Sequence, residues 1–205
     1  MTKHKVFISY HHENDQWYKE CLLEINEEHD IFIDMSVDTG DIDDTGMSDE
    51  SIRRKIRDEY LRDSTVTIVL VGTETKKRKH VDWEIYSSMY DGEKNKKSGI
   101  LVICLPNTGM NRILAAHGQE EKDYIHPEVK DWTHIDSRAE YERSYPYLPD
   151  RIIDCLVNGN SYISIVPWEK IGKYPKVLCY LIDVTHRDRS KAEYDFSRKM
   201  RRKNG

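Results

Sequence analysis

The segment Ser64–Gly92, STVTIVLVGTETKKRKHVDWEIYSSMYDG, decides the fold. Its first part, Thr65–Val71, is continuously apolar and rich in β-branched residues, which is typical of a central strand covered on both faces. Gly72 ends this strand, and a helix is predicted to begin near His80. The apolar positions of that helix recur at helical spacing; they are Val81, Ile85 and Met89. The segment therefore predicts one strand and helix unit of a parallel sheet.

The same alternation of strands and amphipathic helices extends to both sides of this segment. The other predicted strands are Lys5–Tyr10, Ile31–Asp34, Ile100–Leu105 and Tyr162–Val166. The other predicted helices start at Asn14 or Asp15, at Ser48 and at Pro149, and a last, largely polar helix covers Lys176–Lys199. Because strands that alternate with helices build βαβ units, the sequence predicts an α/β fold with a five-stranded, mostly parallel sheet and helices on both faces.

The apolar residues of two of these helices predict which side of each helix is buried. The apolar stripe of the first helix is expected to pack on the sheet; it comprises Trp17, Tyr18, Cys21, Leu22 and Ile25. The second helix is expected to be capped by Ser48 and to turn its apolar positions inward, namely Ile52, Ile56 and Tyr60.

The chain between the fourth and fifth predicted strands is expected to be an insertion. It mixes Gly, Pro, His and charged residues, with short helices predicted at Gly109–His117 and Ser137–Arg143. We expect residues 1–205 to form a single domain, with a core at 3–105 and 147–185, the insertion at 106–146, and a C-terminal helix and basic tail at 186–205. The basic end, Arg198–Lys203, is expected to be frayed and solvated.

The composition restricts the expected partners and location of the protein. The 205 residues carry a formal net charge of −5, with 34% charged and 38% hydrophobic residues. Since acidic and basic residues are interspersed, neither nucleic acid nor a membrane is expected as a partner. No stretch approaches the roughly 20 apolar residues of a membrane span, and Val6–Tyr10 is too short for a secretory signal, so a cytoplasmic location is expected. Four isolated cysteines read as reduced core residues; they are Cys21, Cys104, Cys155 and Cys179.

A candidate site lies where the loops at the carboxyl ends of the strands meet, because ligands of open α/β sheets bind there. The Ser9–His11 corner, the Asp34–Met47 loop and the start of the helix after the third strand should converge. Glu84 lies about one turn into that helix, in the row His80, Glu84, Ser88, and can face the crevice. A carboxylate there can hold ribose hydroxyls and stabilise an oxocarbenium-like transition state. The pattern alone leaves open that Glu84 is an ordinary exposed helical residue.

Two segments carry a resemblance to a known family. KVFISYHHEND, at Lys5–Asp15, resembles the first signature of TIR domains, and Ser64–Gly92 resembles the third strand and following helix of the TIR-like proteins of bacterial Thoeris anti-phage systems. The later segments YPYLPDRIIDCLVNG and SYISIVPWEKI are also similar to the divergent bacterial TIR-like proteins. The resemblance implies a flavodoxin-like TIR fold and places Glu84 at the position of the catalytic glutamate of TIR NADases.

The resemblance also implies an activity and its partners. The implied reaction is cleavage of NAD⁺, as substrate rather than cofactor, into nicotinamide and an ADP-ribose species, linear, cyclic or conjugated. That product would serve as a signal molecule for a partner effector, with self-association through TIR contacts on activation. Two other functions stay open. One is a non-enzymatic interaction module, and the other is an N-glycosidic enzyme of the nucleoside deoxyribosyltransferase type.

Seven residues around Glu84 are candidates for substrate binding; they are Ser9, Tyr10, His11, Asp34, Ser36, His80 and Trp83. The aromatic side chains can stack on nicotinamide or adenine, and Asp34 and Ser36 can bond ribose hydroxyls or shape their loop. Each has a plainer alternative: Tyr10 and Trp83 as core aromatics, His11 as a surface residue, and Asp34 as a turn residue. Ser9 is a better candidate for shaping its loop than for a nucleophile.

No metal is expected. The stretch from Asp41, DIDDTGMSDESI, begins like a calcium-binding EF-hand loop but has Ile52 where the bidentate Glu is required. The histidines of the insertion, His117, His126 and His134, are expected on the surface.

Overall fold

The fold rests on a sheet of five parallel strands. The computed structural model describes residues 3–36, 44–93 and 95–205. Its strands are β1 (Lys5–Ser9), β2 (Ile33–Asp34), β3 (Val66–Val71), β4 (Gly99–Cys104) and β5 (Ser164–Pro167). Their order is β2-β1-β3-β4-β5, which is the flavodoxin-like order with its switch point between β1 and β3. The α/β prediction is confirmed, with every pairing between these strands parallel.

Eight α-helices lie in the described part of the chain. They are α1 (His12–His29), α2 (Asp49–Lys55), α3 (Lys79–Met89), α4 (Gln119–Ile125), α5 (Arg138–Ser144), α6 (Asp150–Asn158), α7 (Trp168–Lys173) and α8 (Pro175–Asp188). A π-helical turn at Ile56–Tyr60 extends α2, and 3₁₀ turns lie at Thr75–Lys77 and Pro106–Thr108. None of the helices in the described residues is both long and apolar enough to cross a membrane.

The two faces of the sheet bury separate clusters, as the alternation of side chains along a strand requires. On one face, even-numbered residues of β1 such as Ile8 pack with α1 and α8. On the other, odd-numbered residues of β3 such as Val69 pack with α3 and α6, and Phe7 of β1 packs near α2. All side chains of β3 and β4 are buried, which confirms the prediction that the apolar run of β3 is a central strand.

The edge strands are shorter than predicted. Ile31 and Phe32 are buried but lie outside the ladder, so β2 pairs with β1 only through Ile33 and Asp34. At the other edge, Tyr162 has φ +50°, a left-handed conformation that cannot continue an extended strand, and β5 starts only at Ser164.

The predicted start of α1 is wrong by several residues. The helix begins at His12 with His11 as its N-cap residue, and the His11 carbonyl accepts hydrogen bonds from the backbone N–H groups of Asn14 and Asp15. Leu22 of the predicted stripe is fully buried, whereas Trp17 is 63% exposed because it lies beyond the edge of the sheet-facing stripe.

The cap of α2 is as predicted. The Ser48 hydroxyl accepts a hydrogen bond from the Ser51 N–H at 3.2 Å, which satisfies one donor of the first turn. Ile52 and Ile56 are buried and Tyr60 is partly buried against them, so the predicted inward face is confirmed.

The insertion departs from prediction in its first half. No helix forms at Gly109–His117: Gly109 has φ +64°, and Leu114 pairs instead with Ile165 of β5 in an isolated antiparallel bridge. The helix in this half is α4, which the polar sequence QEEKDYI did not reveal. The predicted helix at Ser137–Arg143 is confirmed as α5, with Ser137 as its cap.

Two of the three insertion histidines are buried, which corrects the expectation of surface positions. His117 Nδ1 lies 2.9 Å from Asp188 Oδ2 at the end of α8 and so ties the insertion to the core. His126 is 1% exposed, and its burial lowers its pKa to about 4. His134 is exposed as expected. The described residues hold no cluster of side chains suited to a metal ion.

The C-terminal third is better packed than its sequence indicated. The predicted polar helix at Lys176–Lys199 is instead α8, which ends at Asp188, and α7 precedes it. Four apolar residues of α8 are buried against the sheet; they are Val177, Leu178, Leu181 and Ile182. A Cβ at Gly99 would lie 2.5 Å from the Thr185 carbonyl oxygen, so α8 and β4 approach closely only because glycine stands there.

The basic end of the chain is docked rather than frayed. Arg151 of α6, 1% exposed, donates hydrogen bonds to the carbonyls of Arg198 and Lys199, at 3.0 and 3.1 Å. The indole N–H of Trp83 donates to the Arg201 carbonyl at 2.7 Å, and Met200 is 4% exposed. The expectation of a solvated end is wrong because buried donors on α3 and α6 find their acceptors in the tail backbone.

Met200→Ala tests this docking. We expect the free energy of unfolding to fall by about 2 kcal/mol or more, because a buried methionine leaves a cavity. The exposed Lys203→Ala, a few residues along the same tail, should change it by less than about 0.5 kcal/mol. Urea unfolding of both variants provides the measurement, and equal, negligible effects would show that the tail is frayed.

Candidate active site

The candidate site forms where β1 ends beneath α3. Ser9 is the last residue of β1 and pairs in register with Val69 of β3. Its side chain points to the same face of the sheet as α3, and Ser9 Oγ donates a hydrogen bond of 2.6 Å to Glu84 Oε2. The helical row alone leaves open whether Glu84 faces the crevice or solvent; the structure buries it and brings Ser9 and Glu84 together.

Glu84 is unusually deeply buried for a carboxylate. It is 7% exposed, beside the fully buried Ile85, and its burial raises its pKa to about 7, partly opposed by the hydrogen bond from Ser9. Burial penalises the charged form, whereas a donated hydrogen bond favours it. Glu84 therefore changes its protonation state near neutral pH, which is a property of groups adapted to catalysis.

The segment after β2 reaches the same edge of the sheet. Ser36 Oγ accepts a hydrogen bond from the Ile8 N–H at 3.1 Å, and Asp34 Oδ1 accepts one from the Ser36 N–H at 2.9 Å. Asp34 thus makes a local turn that positions Ser36 beside β1. The middle of the acidic loop, residues 37–43, lies outside the described residues, as does the start of the rejected calcium motif.

Tyr10 and His11 follow Ser9 but differ in their surroundings. Tyr10 packs in the α1 face of the sheet, stacks on His12 at 4.4 Å between ring centroids and donates its hydroxyl proton to Gln16. His11 is 6% exposed, so it is not a surface residue, and burial lowers its pKa, with Arg78 lowering it further. A neutral His11 therefore lies at the corner, while Tyr10 lies on the opposite face from Glu84.

Trp83 and His80 lie on the α2 side of α3. Trp83 is fully buried with Phe7 and Ile52, and its N–H is bound to the tail, so its position matches the core alternative and not a stacking surface. His80 is partly buried and meets the Trp83 ring edge-on, at 4.8 Å between centroids. Of the two, only His80 has a side chain that is partly accessible.

A second buried carboxylate at this edge was not predicted. Asp15 is fully buried beneath Gly72, where a Cβ would lie 2.5 Å from Asp15 Oδ1. Thr75 Oγ1 accepts a hydrogen bond from the Gly72 N–H at 2.8 Å and donates to Asp15 Oδ2 at 3.3 Å. Burial raises the pKa of Asp15. This network joins α1 to the loop before α3. The one sign of it in the sequence is the glycine after β3, which leaves room for the Asp15 carboxylate.

The other side of α3 is fixed by a buried ion pair. Arg151 holds both oxygens of Asp82, with hydrogen bonds of 2.9 and 3.0 Å, and the Arg201 N–H donates to the same carboxylate at 2.8 Å. Asp82 lies two positions before Glu84 on the helix. The contact therefore ties the helix that carries Glu84 to α6 and to the C-terminal tail.

The flavodoxin-like strand order and the buried Glu84 on the helix after the central strand define a TIR-like α/β domain. The family model for the TIR-like domain of the Thoeris protein ThsB matches residues 7–109, about half of the chain, and the chain belongs to this family. Membership connects the chain with anti-phage defence. A search among curated proteins returned no match. The matched range includes Ser9 and Glu84 and ends shortly after β4.

The buried charge of Glu84 makes a prediction for stability. Because the folded-state pKa of about 7 lies above the ordinary value of 4.5, the folded state binds more protons than the unfolded state between these values. The carboxyl therefore costs stability as pH rises through this window, and the cost is complete above it. Glu84→Gln, which keeps an acceptor for Ser9, should raise the unfolding midpoint at about pH 8 more than at about pH 5.

Urea unfolding at the two pH values measures this difference. Glu59→Gln, at an exposed position of the π-helical turn, is the matched control and should show no such dependence. A Glu84→Gln protein that gains nothing at the higher pH would contradict the burial of a charged Glu84.

Proposed function

We propose that this protein cleaves NAD⁺ at the bond between nicotinamide and ribose. The product would be an ADP-ribose-derived signal molecule that activates a partner effector in anti-phage defence. The observation that carries the proposal is the Glu84 carboxylate, buried at the carboxyl edge of the sheet and hydrogen-bonded by Ser9 at 2.6 Å. Membership of the ThsB TIR-like family supports it.

The reaction makes modest chemical demands. As the glycosidic C–N bond breaks, its electron pair leaves with nicotinamide, which departs as a neutral molecule from a cationic ring, so no strong acid is required. Positive charge develops on the ribose, and an adjacent carboxylate stabilises it. The oxygen of water or of a ribose hydroxyl then attacks the anomeric carbon and loses its proton. That nucleophile determines whether the product is linear, cyclic or conjugated.

The burial of Glu84 suits this role. A carboxylate in a poorly solvated site interacts more strongly with developing positive charge than one in water. The cationic nicotinamide ring of the substrate also favours the charged carboxylate, because a nearby opposite charge lowers the pKa of an acid. Ser9 acts as a positioning residue, since its hydrogen bond orients the carboxylate and favours the charged form.

The remaining substrate contacts are proposed from position. Ser36 beside β1, His11 at the corner and the partly accessible His80 are the candidates for these contacts. Asp34 contributes through the turn that holds Ser36. The locations of Tyr10 and Trp83 favour packing roles for both.

The near-complete burial of Glu84 also bears on activation. At 7% exposure, the carboxylate cannot contact a dinucleotide unless the crevice opens. We propose that self-association on activation opens or completes the crevice, so the resting protein is quiet. The decisive assay therefore uses cells in which activation occurs.

Glu84→Gln tests the catalytic role directly. Small molecules from phage-challenged cells are compared by mass spectrometry for the wild type, Glu84→Gln and the exposed control Glu59→Gln. Loss of NAD⁺ and appearance of the ADP-ribose product should fall by about 100-fold or more in Glu84→Gln, because an electrostatic contact made in the transition state is removed. The control should behave as the wild type.

Other outcomes of the same experiment identify the alternatives. Base exchange on deoxynucleosides without NAD⁺ loss would indicate a deoxyribosyltransferase. Protection against phage that persists in Glu84→Gln, with NAD⁺ untouched in every strain, would indicate a non-enzymatic interaction module.

Ser9→Ala tests the origin of the tuned pKa. For activated wild type, kcat/KM should rise with pH and level off above the pKa of Glu84, because the charged carboxylate is the active form. Removing the donor removes the contact that lowers the pKa, so the inflection in Ser9→Ala should move to higher pH. The measurement is the pH profile of kcat/KM, and an unshifted or downward-shifted inflection would contradict the proposed role of Ser9.

A further inference from the structure

A basic cavity lies on the side of α3 opposite to the Ser9 contact. It has a volume of about 170 Å³ and lies between the loop before α3, the start of α6 and the C-terminal tail. The lining residues are Thr75, Lys76, Arg78, Asp82, Pro149, Asp150, Arg198, Lys199 and Arg201. Five of them are basic and two are acidic, whereas the whole chain has a net charge of −5. Positive charge is therefore concentrated at this cavity, although the chain as a whole is negatively charged.

Part of this charge is neutralised within the protein. Asp82 is held by Arg151, and Arg198 Nε bonds Asp154 at 2.5 Å. Asp150 is the other carboxylate of the lining, and its distances to Arg198 and Arg201 are long, at 3.7 and 4.0 Å. The internal carboxylates thus leave an excess of cationic groups around the cavity.

Arg78 and Lys76 retain donor capacity. The Nε of Arg78 is buried without a hydrogen-bond partner among the described residues, and its Nη2 is 3.9 Å from the exposed Glu13. Lys76 donates to the Pro146 carbonyl, a neutral acceptor. A guanidinium with an unused donor is a good partner for the oxygens of a phosphate group.

One helix N-terminus reinforces the charge. Pro149 is the N-cap residue of α6, which has no side-chain cap among the described residues, whereas the first N–H of α3, at Lys79, already donates to Asn204 Oδ1 at 2.9 Å. The first N–H groups of a helix lack partners within it, and the helix dipole favours an anion there. Pro149 lines the cavity, so the positive N-terminal end of α6 and the basic side chains converge on one space.

The size of the cavity limits the ligand. At ~30 Å³ per water molecule, 170 Å³ has room for roughly five to six waters, which is enough for a phosphate or diphosphate group and too small for a whole nucleotide. We propose that this cavity binds the phosphate or diphosphate part of a phosphorylated ligand. The site goes beyond the NAD⁺-cleaving function, because neither Glu84 nor Ser9 belongs to it.

Isothermal titration with inorganic pyrophosphate tests the proposal. The wild type should bind, and the double variant Arg78→Gln and Lys199→Gln should bind about tenfold more weakly or worse, since two charged donors are lost. The matched control, Arg62→Gln and Lys130→Gln, removes the same charges at exposed positions remote from the lining and should stay within about twofold of wild type. Lys199→Glu, at an exposed side chain, provides a second variant in case Arg78 is needed for folding.

The outcomes separate this proposal from the catalytic one. Glu84→Gln should bind pyrophosphate as the wild type does, whether or not NAD⁺ cleavage is lost. Competition with ADP-ribose identifies the source of the phosphate: displacement of pyrophosphate indicates a nucleotide diphosphate, and simultaneous binding indicates a separate phosphorylated ligand. No binding by wild type at millimolar pyrophosphate, or equal weakening in the double variant and its control, would overturn the site.

Discussion

The burial of one carboxylate is the constraint on which the site depends. Among the described residues, Glu84 has one hydrogen-bond partner, the Ser9 hydroxyl, in surroundings that raise its pKa to about 7. A buried carboxyl with so little compensation is destabilising, and it persists only where the surrounding packing is strong enough to offset it. That packing comes from the fully buried β3 and β4 and from Val81, Ile85 and Met89 on the same helix.

The helix that carries Glu84 is fixed on three sides. Its apolar stripe rests on the sheet, Trp83 fills the space beside α2, and Asp82 bonds Arg151 and the tail. A buried ion pair contributes little net stability, because both charges lose their hydration, but breaking it leaves an uncompensated charge. The Asp82 and Arg151 pair is therefore better understood as a positional lock, which sets the rotation of the helix two residues before the candidate catalytic group.

Whether a feature could be predicted from the sequence depends on how far apart in the chain the interacting residues lie. The β3 strand and the inward stripe of α3 depend on local periodicity, and the structure has them where the pattern placed them, whereas the same pattern leaves the burial of Glu84 open. The docked tail could not be predicted, because it depends on backbone carbonyls that accept from Arg151 and Trp83, and any sequence offers such acceptors. Buried Asp15 was missed for a similar reason: its partners lie more than fifty residues away.

The two halves of the chain make different contributions to the fold. Residues 7–109, which the family model matches, contain Ser9, Glu84, the end of β1 and the whole of β2, β3 and β4. Yet β4 at the end of this range is covered by α8 on one face and by α3 together with α6 on the other, and its second edge is paired by β5. Without the later half, the α8 face and one edge of β4 would be open to water, so the matched segment does not bury the whole of its core. The later half therefore completes the core on which the sheet rests, and through Arg151 and the tail it also holds the helix that carries Glu84.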